Sequence, residues 1–378
     1  MKKCVIVSDS FKGSLSSGEI GVLAREVISG VFPQCQVIAV PVADGGEGTV
    51  DCFLSCGGSI PVETVVSGPF GQPVTARYAR QGDTAVIEMA AAAGLPLAGD
   101  RPDPSRATTY GVGQLMAHAV EHGCNRILLG LGGSATNDGG CGCAAALGAV
   151  FRDDEGQPFI PTGGTLDRLA AIDLTGLNRK MAGVELDVMC DVTNPLYGAR
   201  GAACVFAPQK GADEEMVERL DRNLRHFARI LEEELGQRVA QMPGAGAAGG
   251  MGAGCVALLR GHLKGGIRAI LDTVDFDAKL EGADLVITGE GRLDDQSFCG
   301  KVLSGVLERT RPRKIPVIAV VGDVAVEPRR AYDAGVSAVF SINRRAIPFA
   351  QAVQRSREDY RAVLEDIVRL IRTAEQMK

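Results

Sequence analysis

Cys4-Val5-Ile6-Val7-Ser8-Asp9-Ser10 sets four apolar residues before a polar exit. The run reads as a short buried strand of a parallel sheet, with polar side chains at its carboxyl end. Ser16 or Ser17 then caps a helix in which Ile20, Leu23, Ala24, Val27 and Ile28 recur at helical spacing. Val37 to Val42 forms a second strand and leaves through Ala43-Asp44-Gly45-Gly46-Glu47-Gly48. Strand, helix and strand of this kind make a βαβ unit, which brings both exit loops to one edge of a sheet. The same rhythm returns near the other end, at Leu285 to Thr288, Pro316 to Val321 and Ala338 to Ser341. A closing helix carries Tyr360, Val363, Leu364, Ile367, Val368 and Ile371.

The middle of the chain has a different pattern. Val62 to Val66, Val74 to Ala79 and Ala85 to Glu88 alternate and are divided by glycine-containing turns, as in an antiparallel meander. A helix at about Gly111 to His122, strands at Arg126 to Leu129 and Leu186 to Cys190, and a long amphipathic helix from Asp213 to Leu235 follow. At 378 residues the chain exceeds what one hydrophobic core usually serves. The expected fold is therefore α/β. Residues 1–60 and 283–378 are expected to form a Rossmann-like parallel-sheet domain built from both termini. Residues 61–282 are expected to form an inserted mixed α/β domain, with the active site in the cleft between them.

Composition excludes several function classes. The net charge of −6 and the absence of Trp give neither the basic footprint nor the stacking platforms of a nucleic-acid binder. No apolar run approaches the length of a membrane span. The apolar stretch after Met1-Lys2-Lys3 is too short for a signal peptide, so a cytoplasmic protein is expected. Its 11 cysteines have no Cys-x-x-Cys pair and read as reduced, mostly buried thiols. His118-Ala119-Val120-Glu121-His122 has a zinc-protease spacing, but lies at a helix end with no third ligand indicated.

Chemistry is concentrated in strand-end loops. Leu129-Gly130-Leu131-Gly132-Gly133-Ser134-Ala135-Thr136-Asn137-Asp138-Gly139-Gly140 follows a strand and opens an Ala-rich helix. Glycines let backbone N–H groups turn toward an anion, and a helix N-terminus adds partial positive charge. Gly132, Gly133, Ser134, Thr136 and Asn137 are thus candidates for holding phosphate, and Asp138 for holding magnesium or acting as a base. A turn that serves packing alone needs small residues, but not Ser, Thr, Asn and Asp together. Gly130-x-Gly132-x-x-Ala135, with Asp153 and Asp154 downstream, also passes as a degenerate dinucleotide fingerprint.

Asp44 and Glu47 are placed to orient a substrate hydroxyl or a metal, and Lys12 is the nearest cation. Thr288-Gly289-Glu290-Gly291-Arg292-Leu293-Asp294 offers Glu290 and Asp294 as acid, base or metal ligand and Arg292 as an anion clamp, with Lys301 a little beyond. Asp191 and Asn194 supply a further strand-end carboxylate and amide. Gly244 to Gly254 reads equally well as a ligand loop or a flexible linker.

Taken in order, these segments resemble the type I glycerate kinase family, the bacterial glycerate 2-kinases. The resemblance rests on Ser8-Asp9-Ser10-Phe11-Lys12-Gly13, Pro41-Val42-Ala43-Asp44-Gly45-Gly46-Glu47-Gly48-Thr49 and Gly132 to Gly140. It continues through Asp191-Val192-Thr193-Asn194-Pro195-Leu196, Phe206-Ala207-Pro208-Gln209-Lys210-Gly211 and Thr288-Gly289-Glu290-Gly291. It implies a two-domain α/β kinase that takes ATP with Mg²⁺ and phosphorylates D-glycerate, the 2-position favoured. In that reading Gly132 to Asn137 hold the ATP phosphates, with Asp138 and Glu290 on the metal. Lys12 and Arg292 neutralise phosphate or the glycerate carboxylate. Asp44, Glu47 and Asn194 face the substrate, Asp191 assists, and Asp294 is the general base. Partners are the two small molecules, with no nucleic acid or membrane, and a homo-oligomer is compatible with the sequence. The competing readings are an NAD-dependent dehydrogenase of a small hydroxy acid and a non-enzymatic ligand-binding regulator.

Overall fold

The opening apolar run forms the strand Lys3–Ser8, buried from Cys4 onward. The computed structural model describes the chain apart from residues 12, 41, 43–47, 56, 57, 299 and 378 and the side chains of Gln296 and Phe349. Lys3–Ser8 is an interior strand of a five-stranded sheet, in the order Ala338–Ser341, Val317–Val321, Leu285–Gly289, Lys3–Ser8, Gln36–Ala39. Every neighbouring pair in it is parallel. The second strand, expected through Val42, ends its pairing at Ala39.

Ser16 is the cap of the helix Ser17–Val31: its hydroxyl accepts from Glu19 N at 3.2 Å, and the Glu19 carboxylate accepts from Ser16 N at 3.0 Å. This reciprocal box satisfies two N–H groups that the first helical turn leaves over. Ile20, Leu23, Ala24 and Ile28 pack with Ile6, Ile287 and Val320 of the sheet and with Tyr360, Leu364 and Val368 of the helix Phe349–Gln376. The chain leaves Lys3–Ser8 on one side, to Gln36–Ala39, and later returns on its other side with Leu285–Gly289. That seam is the topological switch point, beyond whose carboxyl ends open parallel sheets bind ligands.

Two compact units are present. One comprises Met1–Asp44, Asp51–Gly57 and Gly266–Lys378; the other comprises Gly45–Val50 and Gly58–Gly265. The helices Gly266–Thr273 and Phe276–Leu280, which precede the strand Leu285–Gly289, belong to the first. Ile267 of the former lies so close to Gly305 of the helix Val302–Thr310 that a Cβ on Gly305 would meet it at 2.7 Å.

The second unit has a six-stranded sheet, in the order His262–Lys264, Glu185–Met189, Arg126–Gly130, Thr84–Glu88, Pro73–Gln81, Ile60–Ser67. The first four strands are mutually parallel and the last two pairings antiparallel, so the meander is one flank of a mixed sheet. Gly130, Met189 and Glu88 end side by side at one edge. Beyond Gly130 the chain enters the short helix Cys141–Ala146 and then a separate antiparallel three-stranded sheet around Val150–Arg152. A dinucleotide fingerprint requires a second parallel strand there. Asp153 instead accepts from Gln157 N at 2.8 Å and pairs with Arg168 at 2.8 Å, a local turn that leaves the dehydrogenase reading without its acidic partner.

Candidate active site

At the switch point, Asp9 N donates to the Gly289 carbonyl at 2.9 Å, joining the ends of the adjacent strands Lys3–Ser8 and Leu285–Gly289. Gly289 must be glycine: a Cβ there would stand 2.0 Å from the Val320 carbonyl. Glu290 follows with its side chain folded inward, 8% exposed, and its Oε1 has no partner among the described residues. The neighbouring Thr288 hydroxyl is likewise buried and unpaired.

Burial, above all, raises the Glu290 carboxyl from an ordinary 4.5 to about 7; Asp9 and Asp294 add like charge, while a Ser297 hydrogen bond and the Lys301 ammonium hold it down. Ser297 is fully buried, and its hydroxyl accepts from Asp294 N at 2.9 Å. Glu290 and Asp294 thus lie within each other's field, together with Asp9, Ser297 and Lys301. A carboxyl poised near neutrality with one unpaired oxygen suits proton abstraction. Arg292 stands apart from this cluster in its contacts. Its side chain is 64% exposed and faces Asp323 at 3.6 Å, a surface ion pair of little energetic weight.

In the second unit, the glycine loop is anchored from several sides. Leu95 N donates to the Gly133 carbonyl and Ala135 N to the Ala93 carbonyl, both at 2.9 Å. Behind it, the buried Gly244 to Gly254 segment is neither of the forms its sequence offered. It begins the helix Ala247–Ala257 with Ala248, Gly249 and Gly250 in left-handed conformations. A Cβ on Gly249 would lie 2.0 Å from the Thr136 carbonyl, so glycine permits one backbone to rest on the other.

The loop's own side chains divide by depth. Gly132 is half-buried and Gly133 exposed, whereas Thr136 and Asn137 are wholly buried. The Thr136 hydroxyl and both amide atoms of Asn137 find no partner among the described residues, and each such atom costs ~1–3 kcal/mol when left unmade. Lys210, quoted above only as part of a sequence block, proves central. It is 1% exposed, and its Nζ donates to Ser134 Oγ at 2.8 Å and to the Thr136 carbonyl at 2.7 Å. Burial lowers its ammonium from 10.5 to about 7, against the opposing charge of Asp138.

Asp138 corrects the expectation of a metal ligand. Its carboxylate accepts from Thr109 N and Oγ1, both at 2.8 Å, Gly140 N at 3.1 Å and Gly142 N at 3.2 Å. It is fully buried; burial raises its carboxyl above the ordinary range while those donors pull it back. The N–H groups at the start of Cys141–Ala146 therefore serve Asp138, and Cys143 N serves Thr109 Oγ1 at 2.8 Å. The helix start is closed to an outside anion, and the exposed part of the loop is the turn at Gly132 and Gly133, with Ser134 just behind it.

Asp191 lies exposed past the strand Glu185–Met189. The Asn194 side-chain amide donates to the Arg200 carbonyl at 2.8 Å, and its main-chain carbonyl accepts from Gly246 N at 3.0 Å, which braces the glycine segment. Lys12, Asp44 and Glu47 lie outside the described residues. His118 Nδ1 sits 3.2 Å from the Tyr78 hydroxyl and stacks on His122. Among the described residues no three His, Cys, Asp or Glu side chains are arranged to hold a metal ion.

Comparison with known proteins places this arrangement among relatives. The family model described as "Glycerate kinase family" matches residues 4–372. The chain is 42% identical over 377 residues to a glycerate kinase of Bacillus cereus, covering 99% of each. It is 43% identical over 343 residues to the glycerate 2-kinase of Escherichia coli, covering 90% of each. The crystal structure of a putative glycerate kinase 2 from Salmonella typhimurium superimposes with a TM-score of 0.88 at 40% identity, over 99% of both chains. A family match and relatives that run almost end to end, on a fold shared with a solved member, leave one assignment: the chain belongs to the glycerate kinase family.

Proposed function

We propose that this chain transfers the terminal phosphoryl group of ATP to D-glycerate, at the hydroxyl of C2. Family membership sets the reaction class. The observation that carries the residue assignment is Glu290, a carboxyl near neutrality with an unpaired buried oxygen at the switch-point edge. As general base it takes the acceptor hydroxyl proton while the acceptor oxygen bonds to the γ-phosphorus and the bond to ADP breaks. Phosphoryl transfer asks the protein mainly for positioning and charge stabilisation. The turn Gly132 to Ser134 holds phosphate oxygens, and Lys301, with Lys12, supplies positive charge for substrate anions.

The donors around Glu290 are carboxylate and hydroxyl oxygens, which fit a hard divalent cation such as Mg²⁺. Asp9 and Asp294 would hold it, and it would keep water and phosphate oxygens as the remainder of its shell. When bound, it neutralises charge on the phosphoryl oxygens. Asp294 thus moves from base to the metal side, because its charge is one of those that raise Glu290. All cysteines described are free, which fits a reducing, cytoplasmic setting.

The test is ADP release from ATP and Mg²⁺ with glycerate and other short hydroxy acids, with phosphorus NMR identifying the phosphorylated carbon. Turnover with D-glycerate to the 2-phosphate is expected. Absence of ADP release under every condition refutes the reading, and release with 3-phosphate as product refutes the C2 assignment.

A further inference from the structure

An ammonium has three donors and no lone pair, so both short contacts of Lys210 run outward from the lysine. Ser134 Oγ accepts one of them, and its own proton must therefore point elsewhere. Ser134 also sits where the buried stem of the loop meets its open turn: it is 9% exposed, beside exposed Gly133 and ahead of wholly buried Thr136. We infer that Lys210 is a positioning residue for the nucleotide: pinned between Ser134 Oγ and the Thr136 carbonyl, its ammonium turns the Ser134 hydroxyl outward as a donor to a phosphate oxygen. This rests on the reading of the Gly132 to Ser134 turn as the site of the ATP phosphates.

The alternative state of the amine makes the inference sharp. A neutral amine has one lone pair, and it can take the Ser134 proton while still donating to the Thr136 carbonyl. The hydroxyl then faces inward as a donor and presents only lone pairs to an anion. Burial places the exchange between the two states near neutral pH, and a bound polyphosphate favours the ammonium. The charged side chain whose field is felt at the amine is Asp138, and it too favours the ammonium. The other groups in contact, Ser134 and Thr136, do not titrate in this range.

The experiment is a steady-state KM measurement for ATP and for glycerate on the parent, Ser134→Ala, Lys210→Met and the double variant, made near neutral pH and repeated from about pH 6 to about pH 9 so that the exchange at the amine is crossed, with Ser134→Ala carrying the titration of ATP itself. Each single change is expected to raise KM for ATP about tenfold and leave KM for glycerate within about twofold. The double variant is expected to match the singles, because one substitution already removes what the other acts through. Across that range KM for ATP is expected to rise with pH further in the parent than in Ser134→Ala. An unchanged KM for ATP in Ser134→Ala overturns the phosphate-turn reading and the inference with it. A raised KM in Ser134→Ala with none in Lys210→Met, or effects that multiply in the double variant, overturns the inference alone. Should Lys210→Met not fold, the parent and Ser134→Ala decide the matter, and an equal rise of KM with pH in both counts against the lysine.

Discussion

Glu290→Gln keeps the shape of the side chain and removes its ability to ionise. The rise from 4.5 to about 7, at 1.36 kcal/mol per pH unit, means that the folded chain disfavours the carboxylate by ~3 kcal/mol. A raised acid binds its proton more tightly folded than unfolded. Its stabilising contribution is therefore complete below the unfolded value of 4.5 and lost as pH rises through about 7. At about pH 8 the ionised carboxylate is a burden to the fold, and the amide variant is expected to be more stable by up to ~3 kcal/mol. That advantage is expected to shrink by ~2.5 kcal/mol on going to about pH 5, where the folded parent keeps its proton. Activity moves the opposite way: kcat is expected to fall ~10²–10⁴-fold, and the acidic limb of the rate profile to disappear. Urea denaturation in a chelating buffer at the two pH values, paired with kcat against pH, reads both effects. Equal stability at the higher pH, or a kcat within a few-fold of the parent, refutes the assignment.

Asp294→Asn removes one of the like charges that raise Glu290, so the acidic limb of kcat/KM is expected to move to lower pH; an unmoved limb would detach Asp294 from the cluster. Gly249→Ala forces a side chain into a left-handed residue and against the Thr136 carbonyl at 2.0 Å. It is expected to destabilise by more than ~2 kcal/mol and to raise KM for ATP more than KM for glycerate, both measurable by denaturation and kinetics. Asp138→Asn sets an amide against N–H donors and is expected to lower stability by ~3 kcal/mol while leaving the Mg²⁺ concentration for half-maximal rate unchanged. A weakened metal dependence in that variant would restore Asp138 to the metal.

The sheets were legible because their strands are short β-branched runs with polar exits, and the first helix because Ser16 and Glu19 stand three residues apart before an apolar stripe. The strand-end rule equally pointed to Glu290 and to the glycine loop. What the sequence hid was set by contacts far along the chain. Lys210 reads as an ordinary loop lysine until its partner Ser134, 76 residues away, closes over it. Asp138 has the composition of a ligand, and only Thr109, 29 residues earlier, reveals it as an internal acceptor. Asp9 and Glu290 become neighbours through strand pairing, which no local pattern encodes.

That last pairing bears on how the protein comes to be made. Cys4 meets Val37 on one side soon after synthesis, but on the other it pairs with Leu285, so one edge of the first strand waits for a strand that is translated much later. The sheet formed by residues 60 to 264 has all its strands by then and can close first. Until the strand Leu285–Gly289 emerges, Asp9 stands beside no Glu290, and a nascent chain has no poised carboxyl. Competence for phosphoryl transfer and closure of the central sheet are therefore a single late event in biosynthesis, and the strand Lys3–Ser8, apolar and paired in the interval only along its Gln36–Ala39 edge, leaves its other edge open to wrong partners.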